Sequence, residues 1–130
     1  TSSQGLEQFE RVGFGKVVEE RGKLKAILHK IDLYRKSYAL IDEAEKESDR
    51  NFHYVANNLA IAFVDVKQYD SASYYHQQCL EHRLATDDQY GIGQTYNNIG
   101  TLFFEQGELD SALHYYEIGH TTRINAGTVP

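Results

Sequence analysis

Two pairs of adjacent asparagines, Asn57-Asn58 and Asn97-Asn98, stand forty residues apart and carry the most suggestive side-chain chemistry in the chain. An amide side chain offers donors and an acceptor together, so a row of them can hold a peptide backbone without reading its side chains. The same groups can instead hydrogen-bond to one another or to nearby backbone, and spacing alone leaves both roles open. Tyr54 and Gln94, Ile61 and Thr101, and Asp65 and Glu105 recur with the asparagines at three- and four-residue steps, the spacing of one helix face. These ten residues are the candidate peptide-binding set. Lys16 and Glu20 are their counterparts nearer the N-terminus.

Other chemistries find less support. His76 and His82 are six residues apart, as are His114 and His120, so neither pair has the i,i+4 spacing that favours a shared metal. Cys79 is the single cysteine, which excludes a disulfide within the chain, and it falls where a small packing residue belongs. Gly91-Ile92-Gly93 and Gly13-Phe14-Gly15 lie inside helical patterns with no strand before them, which argues against a phosphate loop. No nucleophile–base pair or carboxylate dyad stands out. The expectation is a non-enzymatic protein with no metal and no cofactor.

The elements that must position these residues come in copies. At a shift of forty, Asn57/Asn97, Asn58/Asn98, Phe63/Phe103, Asp70/Asp110, Ser71/Ser111, Ala72/Ala112, Tyr75/Tyr115 and Arg83/Arg123 are identical. Self-similarity at this period marks an array in which each unit buries its apolar face by stacking on the next. A more diverged copy precedes them. At a shift of 85, Gly15/Gly100, Glu20/Glu105, Gly22/Gly107, Leu24/Leu109, Leu28/Leu113 and His29/His114 are identical. The three repeats fall at about 4–48, 49–87 and 88–127 of a single array spanning 1–130.

Each repeat reads as two helices. Tyr96, Ile99, Leu102 and Phe103 recur at amphipathic spacing, with Asp87-Asp88 as a cap, and Gln106-Gly107-Glu108 makes a turn. A second helix runs from near Asp110 to a stop at Ala126-Gly127. Repeat two follows the same plan, with Ser48-Asp49 as cap, a turn at Lys67-Gln68 and a second helix from Asp70 to about Thr86. In repeat one the turn is expected at Gly22, followed by a long second helix from Leu24 to about Glu47. No segment alternates as a strand does.

Composition narrows the function further. Residues 1–49 carry 9 basic and 10 acidic side chains, and residues 50–130 carry 4 and 9, so most of the net charge of −6 lies in the second half. Phosphate backbones are repelled by such a surface, and a basic or amine-bearing peptide suits it better. Apolar runs are far shorter than the roughly 20 residues of a membrane span, so no membrane insertion is expected within these residues. The chain contains no methionine and begins Thr-Ser-Ser, which reads as a piece of a longer protein. A cytoplasmic location is compatible with the lone cysteine.

On these residues the chain resembles the tetratricopeptide repeat. Tyr96, Ile99, Gly100, Phe103, Gly107, Ala112, Tyr116 and Gly119 fit its signature positions in repeat three. Ala56, Leu59, Ala60, Phe63, Tyr69, Ala72, His76 and Cys79 fit them in repeat two, and Phe14, Gly15, Val18, Gly22 and Ile27 in repeat one. The repeats are longer than the family's common length and lack its usual proline. They look like the long-helix variety of kinesin light chains, spindle-orientation adaptors and bacterial peptide-sensing regulators. The resemblance implies an all-α fold, a right-handed superhelix of three antiparallel helix pairs. Its concave groove, faced by Asn58 and Asn98 with Asn57 and Asn97 on the rim, takes a protein or peptide segment. The basic clamp by which some relatives hold chaperone tails lacks its Lys and Arg here. The alternative is a sensory input domain of a bacterial signalling protein whose output domain lies outside these residues. An uncovered last helix, around Leu113, Tyr116 and Ile124, makes a homodimer through the C-terminal repeat an expectation.

Overall fold

The computed structural model describes residues 2–41 and 51–127. Five helices account for 88% of these residues, and no strand occurs among them. They are α1 (Ser2–Ala39), α2 (Phe52–Asp65), α3 (Tyr69–Ala85), α4 (Gln89–Glu105) and α5 (Leu109–Asn125). The pairs α2–α3 and α4–α5 form the two most extensive contacts, with α1 against α2, α3 against α4, and α2 touching α4.

The turns explain this order. Backbone φ becomes positive at Lys67 (61°), Asp87 (53°), Gly107 (77°) and Gly127 (73°), once every twenty residues. After each of the first three, the next amide reaches back five residues: Gln68 to Phe63, Asp88 to Arg83 and Glu108 to Phe103, at 2.8, 3.0 and 2.9 Å. Each bond satisfies a carbonyl that the ending helix leaves without a partner and reverses the chain within two residues. Among the described residues only Asp88 adds a side-chain cap, accepting from the Gly91 amide at 3.0 Å through Oδ1. Ser48 and Asp49, expected to cap α2, lie outside the described residues.

Small residues set the helix spacing, as their positions predict. Ala56, Ala60, Ala72 and Ala112 are buried, and Gly100 lies under the ring of Tyr116. Close backbones are what let Phe52, Leu59, Val55 and Phe63 fill the space between helices at native density. The last part of α1 joins this core: Ile31 clusters with Val55 and Leu59, and Tyr38 packs its ring on Phe52 (5.7 Å) and Tyr75 (5.2 Å).

The first repeat departs from the expected pair. No turn forms at Gly22, and α1 is one helix of 38 residues, so a long helix followed by two hairpins replaces three antiparallel pairs. A helical glycine costs only about 1 kcal/mol, and Lys23 reaches back to Glu19 and Glu20, both at 3.4 Å, across the place where the chain was to reverse. Among the described residues, no helix is long and apolar enough to cross a membrane.

Candidate functional site

Helices α2 and α4 run parallel, because each is followed by an antiparallel partner, and their exposed faces adjoin. Asn98 Nδ2 donates to Asn57 Oδ1 at 2.7 Å, a bond between side chains 41 residues apart that ties repeat two to repeat three. Asn58 turns back on its own helix and donates to the Tyr54 carbonyl at 2.8 Å. Asn97 backs onto α5, where its amide nitrogen lies 3.0 Å from the place a Cβ on Gly119 would take. The four asparagines therefore divide their roles: one bridge between repeats, one bond to backbone and one contact with the following helix.

The companion residues divide likewise. On α2, Tyr54 (57% exposed), half-buried Asn58, Ile61 (41% exposed) and exposed Asp65 form a continuous stripe. Tyr54 meets the edge of Tyr34 from α1, with ring centroids 6.4 Å apart. On α4 the equivalent residues are more engaged. Gln94 Oε1 accepts from Arg83 at 3.2 Å, and Thr101 Oγ1 pairs with the Tyr116 hydroxyl at 2.9 Å. Glu105 is exposed, and its carbonyl accepts from the Tyr69 hydroxyl at 3.4 Å, which holds the α2–α3 turn beside the end of α4. Asp65 and Glu105 thus lie at the same rim, each at the C-terminal end of its helix. Neither helix carries a lysine or arginine. Two carboxylates and two helix C-termini meet there, and Asp65 also borders the cleft lined by Lys16, Arg21 and Lys23 of α1.

Sequence reasoning missed Arg83. It is buried, and its Nη1 donates to the Gly91 carbonyl (2.6 Å), Thr95 Oγ1 (2.9 Å) and Gln94 Oε1 (3.2 Å). It pins the first turn of α4 to α3 and so orients the face that carries Asn98. The signal was present: Arg83 recurs as Arg123, the one basic side chain among the positions identical at a shift of forty. His76, read from the sequence as a signature position of repeat two, is buried there. It is 1% exposed beside a cavity of about 400 Å³ between α3, α4 and α5, and burial lowers its pKa to about 4, so it is neutral near pH 7.

Cys79 behaves as core. It is fully buried, with Sγ 3.7 Å from the His53 carbonyl and from Thr95 Oγ1, and burial pushes its thiol pKa up. A thiol held protonated in this way is no nucleophile. Among the described residues, no group of His, Cys, Asp and Glu is arranged to hold a metal ion.

A family model described as "Tetratricopeptide repeat" matches residues 52–117, the span from the start of α2 to the middle of α5. No curated protein and no solved structure matches the chain.

Proposed function

Because the chain belongs to the tetratricopeptide repeat family, whose members generally mediate protein–protein interaction, we propose that it is a non-catalytic module that binds a peptide segment on the joined faces of α2 and α4. The observation that carries this reading is the Tyr54–Asn58–Ile61–Asp65 stripe, lying beside the Asn57–Asn98 bond on helices without one basic side chain. Tyr54 and Ile61 offer apolar anchors, and large aromatic anchors contribute most of the energy of such contacts. The amides of Asn57 and Asn98 retain donor and acceptor capacity beyond the bond they share, enough to hold a peptide backbone. Asp65 and Glu105 favour a Lys or Arg on the segment at their rim, with the modest salt sensitivity of exposed charges.

Selection of displayed peptides on the purified chain, followed by calorimetry, tests this. Selected sequences should pair an apolar residue with a nearby cation, and Tyr54→Ala with Ile61→Ser should weaken them at least tenfold. Peptides that bind the double variant as tightly as the parent would move the site off this face.

A further inference from the structure

We propose that α1 exchanges between two copies of this chain, residues 6–21 of each packing as the missing first helix against residues 24–39 of the other. The internal repeat supplies the argument. Phe14, Gly15, Val18 and Gly22 are the equivalents of Leu59, Ala60, Phe63 and Lys67 in repeat two, and of Ile99, Gly100, Phe103 and Gly107 in repeat three. Leu59, Ala60 and Phe63 are 0, 0 and 5% exposed, whereas Phe14 and Val18 are 72 and 41% exposed. Gly100 is overlain by Tyr116, yet a Cβ on Gly15 would meet nothing within 4 Å. Repeat one therefore carries the residues of a close helix pair without the pair.

The partner surface is equally idle. Phe63 stacks on Tyr75 and Phe103 on Tyr115, at 5.7 and 5.3 Å with nearly parallel rings. The equivalents of these pairs are Val18 and Lys30, which lie twelve residues apart on one straight helix, about 18 Å along its axis. They cannot meet within one chain in this form. Lys16, Val17, Leu24 and Ile27 instead line, with Asp65 among others, an open cleft of about 700 Å³. Two α1 helices laid antiparallel bring Val18 of each copy to Lys30 of the other, twice, about a two-fold axis at Leu24. Charge favours the arrangement: residues 2–22 carry four carboxylates and three cations, residues 23–41 one carboxylate and five cations. Antiparallel pairing sets the acidic half of each helix on the basic half of its partner.

A second copy fits better here than at the end expected from the sequence. On α5, Leu113 and Ile124 are exposed, but Tyr116 packs inward on Gly100. Phe14 and Val18, exposed on α1, stand at the positions that repeat two buries as Leu59 and Phe63.

The test is sedimentation of the chain at micromolar concentration, together with Val18→Cys and Lys30→Cys introduced in one chain and oxidised mildly. Twice the 14.9 kDa mass and a disulfide-linked dimer on denaturing gels are expected, with little linkage in either single variant, since the exchange pairs 18 with 30. A monomer whose two cysteines close on each other would show the turn at Gly22 forming within one chain, and would overturn the proposal. So would a monomer with no link. Gly22→Ala, which disfavours the left-handed turn and stabilises the helix, should leave the dimer in place and lower its dissociation constant. A monomeric Gly22→Ala chain with intact helix content would also overturn it.

Discussion

Gly93 and Gly119 face each other across α4 and α5 so closely that a methyl group on Gly119 would lie 2.7 Å from the Gly93 carbonyl oxygen, and one on Gly93 would lie 2.9 Å from that of Gly119. Both obstacles are backbone, which cannot swing aside as a side chain can. Alanine is the better helix former by about 1 kcal/mol, yet Gly119→Ala should destabilise the chain by about 1–3 kcal/mol through forced separation of the helices. Gly13→Ala, where nothing lies within 4 Å, should instead stabilise by up to about 1 kcal/mol. Denaturant midpoints of the two variants moving in the same direction would reject this packing.

Lys67 occupies at φ 61° the turn position that Gly107 fills at 77°. A side chain in this left-handed region costs roughly 1–2 kcal/mol, so Lys67→Gly should raise stability by about 0.5–1 kcal/mol once the greater freedom of the unfolded glycine is subtracted. Thermal melting checks it, and a lower Tm would contradict the turn geometry.

Arg83→Met keeps the length of the side chain and removes three hydrogen bonds, those to the buried Gly91 carbonyl and Thr95 hydroxyl and to Gln94 Oε1. The expected loss is about 2–4 kcal/mol. Amide exchange should quicken most in the first turn of α4. Uniform change along the chain would show that Arg83 does not act at that junction.

The Asn57–Asn98 bond predicts coupling. Each single alanine variant should lose about 0.5–1.5 kcal/mol, and the double variant less than the sum, because the second substitution removes a group already without its partner. Strict additivity in a double-mutant cycle would mean that the bond contributes nothing in solution.

His76 predicts an acid-sensitive fold. In the unfolded chain it binds its proton near pH 6.5, in the folded chain only near about 4. Between these values the unfolded state holds more protons. The stability contribution is therefore full above pH 6.5 and falls away as pH drops to 4, by on the order of 3 kcal/mol. His76→Phe, a neutral ring of similar size, should flatten that slope, and an unchanged slope would place its origin elsewhere.

The second and third repeats were legible because turn, cap and periodicity agree there. Lys67-Gln68, Gln106-Gly107-Glu108 and Ala126-Gly127 end helices within a residue of the expected places, and Asp88 caps α4. Repeat one was not, since Gly22 permits a reversal without compelling one, while Glu19, Glu20 and Lys23 favour continued helix. Periodicity also put Tyr54, Asn58, Ile61 and Asp65 on one face of α2. It could not show which amide reaches a neighbour. Successive residues differ by about 100° around a helix, and that single step sends Asn57 across to α4 and returns Asn58 to its own backbone. Gln94 and Thr101 were drawn inward by Arg83 and Tyr116, partners distant in sequence.

The placement of Cys79 gives the molecule a built-in chemical clock. Its sulfur lies where α2, α3 and α4 meet, touching His53 on one side and Thr95 on the other. An alkylating reagent can reach it only after those three helices part. Because the chain has no other thiol, the labelling rate of the whole protein reports how often that one junction opens. A ligand that clamps α2 to α4 should slow the reaction in proportion to its occupancy, so binding can be followed without attaching a dye to either molecule.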